Sequence, residues 1–191
     1  YNAGIANMLE REERLNTLFE DSVKNRDFKV YLQPKVSPSE TRACQAEALV
    51  RWFHPQEGVI YPSEFITIFE KNGKICSLDL YMFEEVCRLI DRWIKEKKAL
   101  VSISVNVSRF HLREAGSEIW KEYKRILDRY DIPEGVIEME LTETILLEEN
   151  QIPFVKAVLN GFRSCGLRVA LDDFGFAYSS LSMLKEFAVD T

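Results

Sequence analysis

Hydrophobic and polar residues alternate along this chain with two different periods, and the period changes from one stretch to the next. Apolar residues about 3.6 positions apart predict helices, and an apolar residue at every second position predicts a strand. The predicted helices cover residues 1–26, 62–69, 77–97, 117–130 and 152–165, and another begins at Ser179. The predicted strands cover residues 28–36, 43–52, 100–107, 136–141 and 167–172, with a loop over 54–58. Strands that alternate with helices favour crossover connections and therefore a parallel sheet.

The predicted strands carry polar residues on one face, and this favours a barrel over an open sheet. In residues 101–108 valine and isoleucine alternate with serine and asparagine, and in residues 137–142 apolar residues alternate with Glu138 and Glu140. A sheet covered by helices on both faces would have strands that are apolar on both sides. We therefore expect an α/β fold of the β/α-barrel type, with an open doubly wound sheet as the alternative. Active sites of such barrels lie at the carboxyl ends of the strands.

Composition narrows the class of protein without identifying a function. The 191 residues are 46% hydrophobic and carry a formal net charge of −6, which suits one sizeable core and argues against a nucleic-acid polymer as partner. No run of about 18 apolar residues predicts a membrane span. Four well-separated cysteines fit small buried residues in a reducing cytoplasm, with membrane attachment left open for an upstream region. The presence of only two histidines disfavours a histidine-built zinc site.

Two adjacent acidic residues, Asp172 and Asp173, end the last predicted strand. Like charges at a strand end repel each other and lose hydration, so a divalent cation is the usual compensation. Further oxygen ligands occur near the ends of other predicted strands: Glu47, Asn106 and Glu140. Together these four carboxylates and one amide form a hard-oxygen set suited to Mg²⁺, Mn²⁺ or Ca²⁺.

Each of these candidates also has an ordinary structural interpretation. Asn106 is a common residue type in turns, Glu140 would be a solvated acid at a strand end, and the aspartate pair would cap the following helix. Their joint occurrence at one barrel mouth favours the metal interpretation. A two-metal centre polarises a phosphoryl oxygen and activates a water molecule in line with the leaving oxygen.

Two further residues are candidates for binding a phosphate-bearing substrate. Arg51 has a planar guanidinium that can hold a phosphate with two parallel hydrogen bonds, and an ion pair with Glu47 or Glu140 is the alternative. Gln33 precedes Pro34 at the end of the first predicted strand, where it would hydrogen-bond a ligand or cap the turn.

Five groups of residues, in order along residues 28–191, resemble the EAL domains, which are phosphodiesterases of the bacterial messenger cyclic di-GMP. The Glu-Ala-Leu triplet that names the family is intact at residues 47–49. The matching segments are Tyr31-Leu32-Gln33-Pro34-Lys35-Val36, Glu47-Ala48-Leu49-Val50-Arg51-Trp52 with His54-Pro55 and Gly58, Ser104-Val105-Asn106-Val107-Ser108, Glu140-Leu141-Thr142-Glu143 and Asp172-Asp173-Phe174-Gly175.

The resemblance implies a modified, TIM-like barrel whose first strand runs antiparallel to the others. The implied ligands of two Mg²⁺ or Mn²⁺ ions are Glu47, Asn106, Glu140, Asp172 and Asp173. Glu47 and the two aspartates would be catalytic, Gln33 and Arg51 would contact the substrate, and Glu143 would brace the loop after the aspartate pair. The implied reaction hydrolyses one phosphodiester bond of cyclic di-GMP and gives linear pGpG.

The resemblance also divides the chain and implies partners. Residues 1–13 resemble the junction that follows a GGDEF (diguanylate cyclase) domain, and residues 14–191 resemble the EAL domain. The family pattern continues past Thr191 with a lysine that helps position the catalytic water and with the last two to three strand–helix units. We therefore expect these 191 residues by themselves to hydrolyse little cyclic di-GMP. The implied protein partners are a second copy, bound through the EAL domain, and an upstream cyclase or sensor domain.

One loop departs from the family pattern. Phe176 and Ala177 stand where the family has a small hydroxyl residue and a glycine, in the loop after the aspartate pair. A stiffer loop would alter how metal binding is coupled to dimer contacts. The alternative function is therefore a degenerate EAL domain that binds cyclic di-GMP as a regulatory module, and a structural or dimerisation role beside a cyclase domain is the third.

Overall fold

The computed structural model describes residues 3–36, 45–111, 118–142 and 152–172. Its helices are α1 (Ala3–Lys24), α2 (Pro62–Lys71), α3 (Lys74–Lys95), α4 (Trp120–Leu127) and α5 (Ile152–Ser164). Its strands are β1 (Phe28–Lys35), β2 (Gln45–His54), β3 (Gly58–Ile60), β4 (Ser102–Val107), β5 (Ile137–Thr142) and β6 (Arg168–Asp172). Each helix and strand predicted within the described ranges is confirmed. The helix predicted to begin at Ser179 lies outside the described residues.

The strands form one sheet in the order β1-β2-β4-β5-β6, and β3 pairs with β2. β2, β4, β5 and β6 run parallel to one another, which confirms the crossover connections expected from the alternation of strands and helices. β1 is antiparallel to β2, as the family resemblance implied. β3 is also antiparallel to β2, with which it forms a short hairpin.

Helices cover one face of this sheet, where the apolar residues of the strands lie. Ile103 of β4 and Met139 of β5 are fully buried in the same cluster as Phe83 of α3 and Phe162 of α5. Burial of each such side chain stabilises the fold by about 1.5–3 kcal/mol relative to exposure. The alternate residues of β4 and β5 therefore lie on the opposite face of the sheet, away from these helices.

A cluster of aromatic side chains packs α1 and α2 against β1 and β2. The ring of Trp52 in β2 lies 4.6 Å from that of Phe28 in β1 and 5.4 Å from that of Phe65 in α2, between centroids. Phe19 of α1 packs edge-on against Phe69 of α2 at 4.8 Å. Tilted and edge-to-face contacts each add about 0.5–1.5 kcal/mol to the burial of the rings. This cluster fixes the C-terminal half of α1 on the sheet.

The N-terminal half of α1 has fewer apolar contacts. Ile5, Met8 and Leu9 are exposed, whereas Leu15 is fully buried. The helix continues without a break across residues 13 and 14, where the sequence predicts the boundary between linker and domain. The position of that boundary stays a prediction. α1 and α3 each contain 22 residues, yet no helix among the described residues is long and apolar enough to cross a bilayer.

The loop predicted over residues 54–58 is the turn of a short hairpin, in which residues 55–57 join β2 to the unpredicted strand β3. The ring Nδ1 of His54 accepts hydrogen bonds from the backbone N–H groups of Gln56 and Glu57, at 3.3 and 3.2 Å. Gly58 then adopts a left-handed φ of 73°, and β3 begins there. A strand of three residues is too short to produce a recognisable period, so the sequence pattern could not predict it.

The boundary between α2 and α3 also differs slightly from the prediction. Gly73, with a φ of 78°, separates the two helices as expected. α3 begins immediately afterwards at Lys74 rather than at residue 77, because the side-chain oxygen of Asn72 accepts the Lys74 N–H at 3.1 Å. This hydrogen bond satisfies one of the N–H groups that the first turn of a helix leaves without a partner.

The described cysteines are consistent with buried, unreactive thiols. Cys87 is fully buried in α3, and burial raises its pKa to about 12. Cys76 and Cys165 are half-buried, and among these three described cysteines there is no disulfide. Cys44 lies outside the described residues.

Candidate active site

Three neighbouring strands bring polar side chains together on the face of the sheet opposite the helices. Glu47 of β2 pairs with Ser104 of β4, and Asn106 of β4 pairs with Glu140 of β5. Because paired residues and residues two apart on a strand share a face, Glu47, Asn106 and Glu140 lie on one face. The structure thus brings together three of the five metal ligands that the sequence predicts.

Glu47 and Asn106 are joined by a hydrogen bond. The Nδ2 of Asn106 donates to Oε1 of Glu47 at 2.9 Å. The amide nitrogen is thereby committed to the carboxylate, and the carbonyl oxygen Oδ1 stays available as an acceptor or metal ligand. Asn106 lies within β4, so the alternative interpretation of this residue as part of a turn is wrong.

Glu140 is buried, with 5% of its surface exposed, which excludes its alternative interpretation as a solvated acid. Its Oε1 accepts a hydrogen bond from Nζ of Lys35, whereas its Oε2 is buried and has no hydrogen-bond partner among the described residues. Burial raises the pKa of Glu140, the charge of Glu47 adds to this rise, and the contact with Lys35 opposes it. A buried carboxylate oxygen without a partner is costly, so a cation bound at Oε2 would stabilise this arrangement.

Lys35 is a site residue that was not predicted from the sequence. Its Nζ donates to Oγ of Ser104 at 3.0 Å as well as to Glu140, so one ammonium connects β1 with β4 and β5. Burial lowers the pKa of Lys35, but the hydrogen bond and charge of Glu140, with the charge of Glu47, raise it above its ordinary value. The sequence does contain a signal for Lys35 as a site residue. Lys35 follows the predicted site residue Gln33 by two positions, which puts both side chains on one face of β1.

The contact between Lys35 and Glu140 requires the sheet to curl. β2 and β4 lie between β1 and β5, and three strand spacings would separate β1 from β5 by about 14 Å in a flat sheet. Side chains on one face of a flat sheet are parallel and do not converge, so these two meet because their face is concave. The polar face is therefore the inside of a curved sheet, as the predicted barrel requires.

The remaining predicted acidic residues lie at or beyond the end of the described part of the site. Asp172 ends β6, and its backbone pairs with Thr142, two residues beyond the pairing of Glu140 with Ala170. Outside the described residues lie Asp173, Glu143, Phe176 and Ala177. The interpretation of the aspartate pair as a helix cap therefore stays open, and the role of Glu143 stays a prediction.

The described donors fit a divalent ion, although they do not complete a site. Among the side chains that the structure describes, no three from the His, Cys, Asp and Glu classes cluster as metal ligands. Glu47 and Glu140 contribute two carboxylates, and the carbonyl oxygen of Asn106 contributes a third hard donor. Oxygen donors of these kinds suit Mg²⁺, Mn²⁺ or Ca²⁺. A bound cation would stabilise the buried Oε2 of Glu140 in particular, because this atom has no hydrogen-bond partner within the described ranges.

Arg51 lies on the same face of β2 as Glu47, closer to the end of the strand. Its Nη1 donates to the backbone carbonyl of Val50 at 2.8 Å, and its guanidinium carbon lies 6.0 Å from the centre of the Tyr31 ring. The ion pair of Glu140 is with Lys35, and Glu47 is bonded to Asn106. The alternative that Arg51 pairs with one of these carboxylates is therefore wrong.

Gln33 lies within β1 and not in a turn. It is exposed and pairs with Glu47 across the β1–β2 hairpin. Tyr31, two residues earlier on the same face, is 51% exposed and stacks on Phe53 with 5.8 Å between ring centroids. Gln33 therefore stands between the ammonium of Lys35 and this aromatic pair.

A buried polar cluster anchors the segment that follows Asn106. The Oδ2 of Asp79 in α3 accepts the backbone N–H of Ser108 at 2.8 Å and lies 3.1 Å from Nε2 of His111. The hydroxyl of Tyr123 lies 3.2 Å from the same nitrogen. Burial raises the pKa of Asp79, although both hydrogen-bond partners oppose the rise. Asp79 was not predicted as a site residue, although an aspartate on the apolar face of an amphipathic helix is a recognisable signal.

A parallel sheet with an antiparallel first strand, curved around carboxylate side chains, is the arrangement of a TIM-like α/β barrel. The family model described as "EAL domain" matches residues 15–191. The chain belongs to the EAL domain family, as its motifs indicated.

Two relatives of this chain are named as cyclic di-GMP phosphodiesterases. The cyclic di-GMP phosphodiesterase PdeR of Escherichia coli K12 is 34% identical over 177 residues, which cover 92% of this chain and 26% of PdeR. The bifunctional diguanylate cyclase/cyclic di-GMP phosphodiesterase MucR of Pseudomonas aeruginosa is 31% identical over 180 residues, which cover 94% of this chain and 26% of MucR. The chain thus spans about a quarter of the length of these relatives.

Solved structures of EAL domains match the fold. The MucR phosphodiesterase in complex with cyclic di-GMP matches with a TM-score of 0.81 and 28% identity, over 92% of this chain and 70% of that one. The FimX EAL domain matches with a TM-score of 0.78 over 91% of this chain and 68% of that one, at 17% identity. At this identity the FimX match shows the fold alone. Together these matches confirm the predicted TIM-like α/β barrel of the EAL type.

Proposed function

We propose that this EAL domain, within the protein to which it belongs, hydrolyses one phosphodiester bond of cyclic di-GMP to give linear pGpG. The names of the relatives PdeR and MucR support the reaction, and the MucR complex supports the ligand. The observation that carries the proposal is the pair of carboxylates Glu47 and Glu140 beside Asn106. Oε2 of Glu140 is buried and has no partner in the part of the chain that the structure describes.

Two divalent ions, Mg²⁺ or Mn²⁺, are the cofactors in this proposal. Their ligands would be Glu47, Asn106, Glu140, Asp172 and Asp173. When bound, the ions supply positive charge that stabilises the attacking and leaving oxygens of an in-line displacement at phosphorus. The chain itself fixes the ligand oxygens, because Asn106 orients Glu47 and Lys35 orients Glu140. Glu47 and the two aspartates are the residues that we assign to catalysis.

Arg51 and Gln33 bind the substrate in this proposal. The bond from Arg51 to the backbone of Val50 uses one of the five N–H donors of the guanidinium, so others can hold a phosphate oxygen. Gln33 is exposed beside Glu47, and its amide can donate to or accept from a nucleotide. Glu143 braces the loop after the aspartates, an assignment that rests on the family resemblance.

The protein partners belong to the same proposal. We expect an upstream GGDEF domain, joined through residues 1–13. The name of the relative MucR supports this partner, because it describes a diguanylate cyclase as well as a phosphodiesterase. A homodimer formed through the EAL domain rests on the family resemblance alone.

The test is the hydrolysis of cyclic di-GMP by the whole protein with Mn²⁺, with pGpG separated by chromatography. Glu47→Ala should lower kcat at least about 100-fold, because it removes a ligand carboxylate and the acceptor of Asn106. Glu20→Ala, on the exposed face of α1, is the matched control and should keep the wild-type rate. Unchanged hydrolysis by Glu47→Ala would contradict the proposal.

A regulatory binding module is the second candidate function, favoured by Phe176 and Ala177 in the loop after the aspartate pair. It predicts that the wild-type protein binds cyclic di-GMP and forms no pGpG. A purely structural or dimerisation role predicts neither binding nor hydrolysis. Equilibrium binding of cyclic di-GMP, measured on the same samples as hydrolysis, separates the three functions.

A further inference from the structure

The chain leaves β4 through a turn that begins directly after Val107, the last residue of the strand. The hydroxyl oxygen of Ser108 accepts the backbone N–H of Phe110 at 3.3 Å, and its carbonyl oxygen accepts the backbone N–H of His111 at 3.1 Å. The side chain of His111 is buried. The turn therefore carries the chain from the end of the strand back into the protein within four residues.

One carboxylate oxygen of α3 contacts both ends of this turn. Oδ2 of Asp79 accepts the Ser108 N–H at 2.8 Å and lies 3.1 Å from Nε2 of His111. The hydroxyl of Tyr123 lies 3.2 Å from the same nitrogen. Asp79, His111 and Tyr123 are all buried. Water therefore cannot readily replace these contacts, and the three side chains hold one another in a single arrangement.

Packing alone does not account for an aspartate at this position of α3. Asp79 lies on the apolar face of the helix, with Ile75 and Met82 one turn away on either side. Burial of a carboxylate is unfavourable unless hydrogen bonds compensate for the lost hydration. A leucine would fill the same space without that cost. The hydrogen bond to the segment after β4 is therefore the specific contribution of Asp79.

The direction in which β4 ends matters for Asn106, which lies two residues before Ser108. The side chain of Asn106 is exposed, so its orientation depends on the backbone of β4 more than on packing. Its Nδ2 donates to Oε1 of Glu47 at 2.9 Å. Because hydrogen bonds weaken steeply as the donor turns away from the acceptor, a small rotation of the strand end would weaken this bond.

We propose that Asp79 is a positioning residue that directs Asn106 toward Glu47 by holding the end of β4. His111 and Tyr123 orient the carboxylate of Asp79 for this task. The proposal rests on the proposed function, because it takes Asn106 as part of the active site. Asp79 acts from the helix-covered side of the sheet, so it is assigned no contact with the substrate or with an ion.

The first test uses NMR on the full chain, without metal or nucleotide, to observe the side-chain amide of Asn106. An amide proton donated to a carboxylate resonates away from the position of an amide in water. In Asp79→Leu the Asn106 amide should shift to the position of a solvated asparagine. Asp79→Asn should keep the wild-type position, because the asparagine Oδ1 can take the place of Oδ2 and accept the Ser108 N–H.

Ser22→Ala is the matched control for the loss of a buried hydrogen bond. Oγ of Ser22 accepts a bond from Nε1 of Trp52 at 3.0 Å, in the aromatic cluster between α1 and β2. This variant should leave the Asn106 amide where it is in the wild type. An equal shift in Ser22→Ala and Asp79→Leu would mean that general loosening of the fold moves the amide, and it would overturn the role of Asp79.

The second test is the hydrolysis of cyclic di-GMP by the whole protein with Mn²⁺. Asp79→Leu should lower kcat about tenfold and change KM by less than about twofold, because the residues assigned to substrate binding lie on β1 and β2. Asp79→Asn should restore most of the wild-type kcat. Equal losses in Asp79→Asn and Asp79→Leu would trace the effect to the charge and overturn the proposal.

Tyr123→Phe provides a further variant in case Asp79→Leu does not fold. It removes only the hydroxyl group and should lower kcat about threefold, with a shift of the Asn106 amide in the same direction. An unchanged Asn106 amide in the folded variants overturns the role of Asp79. If the wild-type protein forms no pGpG, the proposed function fails, and the NMR comparison still shows whether Asp79 positions Asn106.

Discussion

Asn106 donates its amide hydrogen to Oε1 of Glu47 at 2.9 Å, and this bond joins residues that are 59 positions apart in the chain. The bond depends on the register in which Glu47 pairs with Ser104, because β2 and β4 are neighbours in the sheet. A shift of one residue would turn one of the two side chains toward the face that the helices cover. The register of the sheet and the geometry of the site are therefore specified together.

Asn106→Asp is expected to make stability depend on a divalent ion. The variant replaces the hydrogen-bond donor with a carboxylate of nearly the same shape, so Glu47 would face a like charge. The free energy of unfolding in EDTA should fall by about 1–3 kcal/mol. Mn²⁺ should recover most of this loss, and thermal unfolding with EDTA and with Mn²⁺ measures both effects.

Asn25→Asp is the control for this prediction. Asn25 is exposed after the end of α1, so the same change of residue type should alter stability by less than about 0.5 kcal/mol. Equal behaviour of the two variants, with or without Mn²⁺, would show that the bond between Asn106 and Glu47 is not important for the site.

Asp79→Asn is expected to remove a pH-dependent loss of stability. Burial raises the pKa of Asp79 in the folded protein above the ordinary value of 3.8, so the folded state holds a proton that the unfolded chain has already released. Between these two pKa values the free energy of unfolding falls as the pH rises, by about 1.4 kcal/mol per pH unit at most. Asparagine has no such titration and can still accept the Ser108 N–H.

Urea unfolding at several pH values above 3.8 provides the measurement for Asp79. The stability of Asp79→Asn relative to the wild type should increase as the pH rises and then level off. Asp128→Asn, at an exposed aspartate after α4, is the matched control for the change of residue type alone. A flat difference for Asp79→Asn would mean that its folded-state pKa is not raised.

Gly161→Ala is expected to destabilise the packing of α5 against α4. A methyl group at Gly161 would overlap the indole ring of Trp120. Overpacking of this kind costs about 1–3 kcal/mol, which exceeds the helix-propensity gain of about 1 kcal/mol. Gly4→Ala in α1, where nothing lies within 4 Å of the added methyl, should cause no loss.

Chemical denaturation of these glycine variants in two backgrounds tests the cause. In Trp120→Leu the smaller side chain leaves room for the methyl, so the loss caused by Gly161→Ala should shrink. The same loss in both backgrounds would indicate that the clash with Trp120 is not its source.

Arg51→Lys is expected to weaken binding of cyclic di-GMP without altering binding of Mn²⁺. Lysine keeps the positive charge but loses the planar pair of donors that can hold a phosphate. The dissociation constant for the dinucleotide should rise about tenfold, which corresponds to about 1.4 kcal/mol. Arg125→Lys, at an exposed arginine paired with Glu122 of the same helix, should leave it unchanged. A lower affinity of Arg51→Lys for Mn²⁺ would instead indicate that Arg51 supports the metal ligands.

The helices and strands were predictable because each type has its own spacing of apolar residues. This spacing puts the apolar side chains on one face, which then packs within the core. The structure differs from these predictions at the start of β3 and at the start of α3. Both differences arise from single contacts, which do not affect the hydrophobic period of the sequence. The ring of His54 organises the turn before β3, and the Asn72 side chain allows α3 to begin directly after Gly73. Both depend on one side chain that hydrogen-bonds a nearby backbone N–H group.

The sequence could predict which types of residue form the candidate site, but it could not predict which side chains contact one another there. Glu47, Asn106 and Glu140 could be selected because polar residues alternate with apolar ones in their strands. The partner of Glu140 could not be selected, because Arg51 and Lys35 are both positively charged and both lie on the polar face. Asp79 was not predicted because its role is to accept a hydrogen bond from the segment after β4, which is distant in sequence.

By itself the sequence determined the order of helices and strands, the polar face of the sheet and membership of the EAL domain family. These properties depend only on the local spacing of apolar residues and on short motifs. Only the tertiary structure decided that Lys35, rather than Arg51, pairs with Glu140 and leaves Oε2 without a partner among the residues that the structure describes. This contact spans three strand spacings, so it exists only because the sheet curls, and curvature is a property of the packed sheet as a whole.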